Sequence, residues 1–557
     1  MTKKIRCGLF ETNSSGSHSI TWKPRIPDAS KKLDEDLYII LPQYCCMDFE
    51  MNTTNPEINK NPHSWVHKFA FLYYRLLEMA ECLNDYKWCL EYMHELFRKI
   101  TGKNVYFLIE VLIFEEDIIS RDGNMITVEC FSFWDEPHTF EVLTEDEVKK
   151  FEPYIKDYAR KYGYESYNSD KSSNMKGTYF LVAQDTESVI CYGSDIFEEV
   201  GIFEEMLQQN EPLMRYIGWH ASVRETVPDK IYMAIIEEYV TNDNWDYLVT
   251  CDGSFAWPPF DVRNIDKNGN MYVLYFGDGT RIMISDEDEL VPEYPLSIDL
   301  KITDKCSHNC PFCYENSTPD GKDADEEMLK ILDTLPPGTE IAVGGGNPLE
   351  CELLKGLIFG QHKHRIAVTI NQKDFKMDKL YELEHLSEWE GRLNALGVSV
   401  THVDDSFLDE INRLSDTFHI VVHVIAGIIT MEELEKLYDK NIRLLILGYK
   451  DIGRGKIYKQ ENESVKKHIL ELADRIEEIK EHFMVTAFDN LALEQLGVQR
   501  KIPEKDWKVL FQGEEGEFSM YIDLVNKEFS YSSYDERRFP IKEGMTIKDM
   551  FGFLRRN

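Results

Sequence analysis

Between Ser297 and Leu447 the chain repeats one unit: a short run of β-branched and aliphatic residues, then a longer stretch with apolar residues three or four apart. The runs predict strands at Ser297–Ile302, Glu340–Val343, Arg365–Ile370, Gly397–His402, His419–Val424 and Arg443–Leu447. The longer stretches predict helices near 323–335, 350–359, 377–388, 406–414 and 431–439. Thr430-Met-Glu-Glu433 has the spacing of a capping box and starts a helix where the alternation demands one. Six strand–helix units, without a seventh and eighth of equal quality, predict an α/β fold with a parallel, partly closed (β/α)6 barrel. A charged helix at 461–482, an apolar piece Phe483–Phe488 and a hairpin-like segment 518–531 follow.

Upstream the rhythm is different. Residues 1–35 are polar, and Leu37–Leu41 reads as a strand. A loop at 52–63 precedes a helical pattern from Ser64 to Lys99. Strands are expected at 104–113 and 125–134, and helices at 145–161 and 198–215, with Tyr179–Ala183 between them. Met271–Phe276 and Arg281–Ile284 flank Gly277-Asp-Gly-Thr280 and predict a hairpin. Two prolines in Val291–Pro295 mark a linker. The expected domains are α+β over 1–215, a small β-rich unit over 216–294, the barrel over 295–500 and a C-terminal extension over 501–557.

No run approaches the roughly 20 apolar residues that cross a bilayer, and the N-terminus lacks an apolar signal stretch, so a cytoplasmic protein without membrane association is expected. The formal charge of −38 disfavours nucleic acid, whose affinity comes largely from lysine and arginine neutralising phosphates. Twelve cysteines in a large chain of this kind do not make a disulfide framework. Nine are scattered, and Cys82 and Cys89 read as packing residues on one helix face.

The other three stand together just beyond the first barrel strand, as Cys306-Ser-His-Asn-Cys310-Pro-Phe-Cys313. Three thiolates spaced C-x3-C-x2-C can bind three irons of a cubane and leave the fourth open. The carboxyl end of a strand is where parallel α/β folds place reactive groups. The competing reading, a structural zinc site, wants a fourth Cys or His, for which His308 is badly placed.

This segment resembles the radical S-adenosylmethionine (radical SAM) superfamily, down to the aromatic Phe312 before the last cysteine. The resemblance implies a [4Fe–4S] cluster on Cys306, Cys310 and Cys313, with SAM on the open iron and Phe312 near its adenine. Gly344-Gly345-Gly346-Asn347-Pro348 resembles the family's glycine-rich element that takes the SAM amino group, with Asn347 where glutamate is usual. Asn371 is similar to the polar residue directed at the SAM ribose or carboxylate. His423-Val-Ile425-Ala-Gly427 is similar to the element flanking the adenine, which puts Ile425 and Gly427 in the site. The implied activity is reductive cleavage of SAM to a 5′-deoxyadenosyl radical that abstracts a substrate hydrogen, fed by a low-potential donor such as flavodoxin or ferredoxin. A flanking domain is expected to cover the barrel mouth.

Substrate is open between a peptide or protein and a nucleoside or small metabolite. A reading from another class is a phage binding or structural protein with an idle or redox-sensing cluster. Thr12–His18 resembles a segment near the N-termini of phage-encoded proteins, implying a phage or mobile-element origin and a host cytoplasm. Tyr449, Lys450 and Arg454 after the sixth strand read either as an anion site or as a solvated turn. Asp404 and Asp489 read as helix caps. Residues 507–557 resemble the extension that carries extra clusters in peptide-modifying relatives, but no cysteine follows Cys351.

Overall fold

Side chains along a parallel strand alternate between two environments, covering helices on one side and whatever the sheet encloses on the other. The computed structural model describes residues 2–12, 20–22 and nearly all of 262–556, with strands and short helical pieces between 33 and 237. Seven strands run parallel as successive neighbours: β1 (Ser297–Thr303), β2 (Glu340–Gly345), β3 (Arg365–Asn371), β4 (Leu393–Ser399), β5 (Ile420–Ile425), β6 (Arg443–Leu447) and β7 (Val485–Phe488). An eighth, β8 (Ser519–Asp523), lies parallel to β1 on its other side.

Two parallel strands therefore stand beyond the six expected. β7 has only four residues, and β8 joins the far edge out of sequence order, so neither continues the strand–helix rhythm. The hairpin foreseen at 518–531 is present, with Glu528–Ser530 antiparallel to β8. β7 and β8 do not pair with each other; Ile20–Trp22 lies antiparallel on β7.

One face of this sheet is apolar throughout. Ile298, Leu300, Val343, Val368, Leu396, Val422 and Ile446 share a core with helix residues such as Leu357, Phe407, Leu414 and Leu472. The other face holds the start of the chain. Arg6 reaches Glu340 on β2, Phe10 packs on Ala367 of β3 and Ala395 of β4, and Leu9 packs on Val421, Leu445 and Val485 of β5, β6 and β7. In a flat sheet β2 and β7 would stand roughly 24 Å apart, five spacings of about 4.8 Å. Residues as close in sequence as Arg6, Leu9 and Phe10 can meet all of them only if the sheet curls around the segment.

A buried charge group fixes this arrangement. Arg6 donates from Nη1 to Glu340 Oε2 (2.8 Å) and from Nη2 to Oε1 (2.5 Å), Arg281 donates to Oε2 (2.8 Å), and Glu11 lies 3.6 Å from Arg6. Burial pushes the Glu340 carboxyl up, and the two guanidinium groups outweigh it and hold it below its usual range. Removing one partner of such a set strands a charge away from water.

The N-terminal strand Thr2–Arg6 pairs with Arg281–Ser285 in a four-stranded antiparallel sheet completed by Met271–Phe276 and Val262–Asn268. The hairpin expected around Gly277 is thus present, with a strand added on each side. The segment 291–295 is no loose linker. Asn268 Oδ1 accepts from Glu293 N–H (2.8 Å) and Tyr294 N–H (2.9 Å), and Arg555 donates to Pro292 O (2.6 Å). Met1–Arg25 and Asp261–Asn557 form one compact unit and Ile26–Phe260 the other.

In the second unit an eight-stranded mixed sheet runs in the order Asn52–Thr53, Leu37–Leu41, Val105–Phe114, Met175–Ala183, Val189–Gly193, His138–Val142, Met125–Glu129, Ile118–Asp122. Trp65, Phe69 and Phe97, on helical pieces, are buried and pack on one another. The expected helices at 145–161 and 198–215, Cys82 and Cys89 lie outside the described residues.

Candidate functional site

β1 runs into a loop, 304–323, that carries Cys306, Cys310 and Cys313 and is folded back on itself. Asp304 N–H donates to Lys322 O (2.8 Å), Cys306 N–H to Thr318 O (2.9 Å) and Cys313 N–H to Cys310 O (3.2 Å). The three thiols are half-buried and unbonded to one another. Burial pushes the Cys306 and Cys310 thiols up, and each also feels the Cys313 thiol. Among the described residues no group of three or more His, Cys, Asp or Glu is gathered as a single-ion site. The donor set is three thiols from one loop, the number a cubane with one open iron takes, whereas a structural tetrahedral zinc takes four.

The loop after β6 braces this one. Arg454 donates its backbone N–H to Cys313 O (3.1 Å), Nε to Cys310 O (3.1 Å) and Nη2 to Ser317 O (3.0 Å). A Cβ on Gly453 would stand 2.3 Å from Tyr314 O, so glycine is what lets the two loops touch. Tyr449 Oη donates to Gly455 O (2.6 Å). The three residues weighed as an anion site therefore do not converge: Arg454 holds the cysteine loop, Tyr449 holds its own turn, and Lys450 turns inward.

The glycine-rich element closes β2 beside the same loop. Gly346 N–H donates to Thr303 O (2.8 Å) and Asn347 N–H to Lys305 O (2.6 Å). A Cβ on Gly346 would lie 2.1 Å from Lys305 O, and one on Gly345, at φ +111°, 2.5 Å from Thr303 O. The close approach that needs glycine here is to the root of the cysteine loop. Gly344 precedes it in β2, paired with Lys301. Asn347 is buried, and its amide is engaged: Oδ1 accepts from Leu349 N–H (3.2 Å), and Nδ2 donates to Asp374 (2.9 Å) and Glu350 (2.9 Å). Asp374 also takes His308 and Lys379, and Glu350 takes Ser307 Oγ (2.6 Å). This network ties the cysteine loop to the ends of β2 and β3. Its members are scattered in sequence, and no local signal announces it.

Asn371 ends β3 with its Nδ2 3.9 Å from Cys310 Sγ, while its Oδ1 caps the next turn through Lys373 N–H (3.0 Å). Phe312 meets Tyr458 edge-on, ring centres 5.8 Å apart. Ile425 ends β5, half-buried beside the Leu9 cluster. Gly427 has φ +90°, and its Cβ position faces Val465 at 2.9 Å, a helix-packing reason for glycine. Asp404 and Asp489 cap helices through Phe407 N–H (2.8 Å) and Ala492 N–H (2.7 Å).

A second polar group adjoins the cysteines. Asp299 and Lys301 occupy the enclosed face of β1, opposite Ile298, Leu300 and Ile302. Lys301 binds Asp304 (2.6 Å), Glu315 (2.8 Å) and Asp523 (3.2 Å). Lys450 Nζ donates to Ser533 Oγ (3.0 Å) and stands 4.1 Å from the Tyr314 ring centre. Sequence reading missed this group, although polar residues at every second position of β1 are a signal in a parallel strand expected to be apolar on both faces.

Residues 300–442 match the family model described as the Radical SAM superfamily, so the chain carries a radical SAM domain that includes the whole cysteine loop. No curated protein matches the chain. Among solved structures, SuiB of Streptococcus suis bound to the precursor peptide SuiA is 12% identical, over 67% of this chain and 85% of that one, with a TM-score of 0.35. SuiB alone is 11% identical over the same shares, with a TM-score of 0.33.

Proposed function

We propose that this chain, an enzyme of the radical SAM class, holds a [4Fe–4S] cluster on Cys306, Cys310 and Cys313 and cleaves SAM reductively. When bound, the cluster and SAM supply a 5′-deoxyadenosyl radical that takes a hydrogen atom from the substrate, with the electron delivered by a low-potential protein donor. The observation that carries the reading is the cysteine loop itself, set at the carboxyl end of β1 within the matched domain and clamped from both sides by the loops after β2 and β6.

The chain's own residues hold and orient. Arg454 and the His308–Asp374–Asn347 network fix the loop backbone so that the thiols keep their spacing. The Asn371 amide, 3.9 Å from Cys310 Sγ, donates toward a ligand sulfur. The backbone of Gly344–Gly346 would receive the SAM amino group and Ile425 would flank the adenine. The Asn347 oxygen accepts from Leu349 N–H and has a second lone pair, so backbone carbonyls would supply most of the acceptors for the ammonium.

For the substrate we favour a peptide or protein over a nucleoside or small metabolite; the net charge of −38 sets phosphate-rich polymers aside as well. Anaerobically reconstituted protein should contain about four irons. It should release 5′-deoxyadenosine when given SAM and dithionite. Four irons without any 5′-deoxyadenosine would leave a cluster protein and defeat the enzymatic reading.

A further inference from the structure

Asp299 is more than nine-tenths buried, and neither carboxylate oxygen has a hydrogen-bond partner. Buried polar atoms are almost always paired, because an unpaired one forfeits its water without compensation, and for a carboxylate the penalty is larger still. The surrounding groups explain why nothing in the chain supplies the partner. Lys301, the neighbouring cation on the same face, is taken by Asp304, Glu315 and Asp523. Lys450 sits among four carboxylates, Asp489, Asp299, Glu315 and Glu515, while its ammonium donates to Ser533 and faces the Tyr314 ring.

The other acids are accounted for, at least in part. Glu315 has Lys301, Glu515 accepts from Tyr534, and one oxygen of Asp489 accepts two backbone N–H groups. Burial pushes Asp299 well above the usual carboxylate range and Glu515 up to about 7, which is what a group short of cations would show. Glu315, Glu515 and Tyr534 are only partly buried, so the group opens toward solvent on one side. On another it borders the cysteine loop, because Tyr314 and Glu315 directly follow Cys313.

We infer that Asp299, with Glu315 and Glu515 near it, anchors an organic cation of the substrate, an ammonium or guanidinium group, beside the cysteine loop. The inference rests on the enzymatic reading above and narrows its substrate to molecules that carry such a group near the reacting carbon. A lysine or arginine side chain, a peptide amino terminus and a free amine share this chemistry. A cation entering here gains two unpaired acceptor oxygens in a water-poor setting and relieves the repulsion among the carboxylates.

The test is calorimetric titration of the full-length, reconstituted protein with n-butylammonium chloride, n-butylguanidinium chloride, n-pentanol and sodium butyrate at constant ionic strength. One of the two cations should bind saturably, and the better one identifies the headgroup. The alcohol and the carboxylate should not bind. Asp299→Asn should weaken cation binding at least tenfold, because the amide cannot ionise opposite the cation. If Asp299→Asn does not fold, Glu515→Gln should weaken binding by a smaller but measurable factor.

The inference is overturned if neither cation binds, if n-pentanol binds as tightly, or if neither variant changes the affinity. Release of 5′-deoxyadenosine is followed in the same preparations to separate the two readings. Cation binding without that product would sink the enzymatic reading and leave the site. Product without cation binding would sink the site alone.

Discussion

The two faces of the parallel sheet obey different rules. On the outer face nearly every strand position is aliphatic and meets an aliphatic residue of a covering helix, so neighbours of similar size can replace one another at modest cost. On the enclosed face β1 presents Asp299, Lys301 and Thr303, β2 presents Glu340, and β5 presents His423, each buried and almost all matched to a particular partner. The outer face makes the fold, and the enclosed face makes it specific. Perturbations should therefore be tolerated outside and severe inside, and the following experiments are arranged to break that contrast.

The largest effect should come from the first residues. Deleting 2–12 removes Arg6 from Glu340 and strips Leu9 and Phe10 from the enclosed face. Arg6→Ala alone should cost about 3–5 kcal/mol, the usual range for breaking a buried ion pair. The full deletion should abolish the cooperative unfolding transition of the unit that holds the parallel sheet. A fragment of 290–557, which also lacks Arg281, should not fold either. A cooperative denaturation curve from that fragment would show that the enclosed face is dispensable.

Next is loss of the cluster without loss of fold. Replacing Cys306, Cys310 and Cys313 together by alanine should remove the bound iron and all SAM cleavage while shifting the melting temperature little relative to the apoprotein, since the thiols are half-exposed. Iron retained at the wild-type level would refute the ligand assignment. Cys351→Ala, on a buried cysteine outside the loop, should leave iron content unchanged.

Gly346→Val tests whether the glycine element serves SAM or the cysteine loop. Its Cβ would collide with Lys305 O, so the variant should lose about 1–3 kcal/mol, as overpacked sites do, and should load less iron. Normal iron with weakened SAM binding would return the glycine to the cofactor. Asn347→Glu is the companion. It restores the residue usual in the family, yet it places a carboxylate against Asp374 and Glu350, whose donor it removes. We expect a loss of about 2 kcal/mol, measured by chemical denaturation, from hydrogen bonds to charged groups.

How much of this was legible from sequence follows the same division. Strands β1–β6 and their helices could be read because the outer face repeats aliphatic residues with a fixed period, and the cysteines because their spacing is local. The Asn347–Asp374–His308 network and the N-terminal segment within the sheet could not, because their partners lie from 27 to more than 400 residues apart. The glycines at 344–346 were seen, but their neighbour was not. Sequence shows that backbone comes close there, and only the structure shows that what comes close is Thr303 and Lys305.

The smallest expected effect is a pH dependence seated on that N-terminal segment. His423 lies on the enclosed face of β5, 1% exposed, with Nε2 2.9 Å from Thr12 Oγ1. Burial alone lowers its pKa from 6.5 to about 3. The imidazole is therefore neutral in the folded protein, where it can exchange one hydrogen bond with a hydroxyl, and it ionises near 6.5 once unfolded. Above 6.5 both states are neutral and the residue adds no pH dependence. As pH falls from 6.5 toward 3, the unfolded chain takes up a proton that the folded chain refuses, and stability is lost. At about pH 5 the loss should be on the order of 2 kcal/mol relative to neutral pH. His419, half-buried against Phe10, is lowered in the same direction by desolvation and by Arg443 and Arg6, and adds to the slope. His423→Gln keeps a hydrogen-bonding side chain without a titrating group, so its denaturation midpoint should fall less steeply between about pH 6.5 and 5 than that of the wild type. Equal slopes would mean that His423 accepts a proton in the folded state, and hence that water reaches the space between Thr12 and β5.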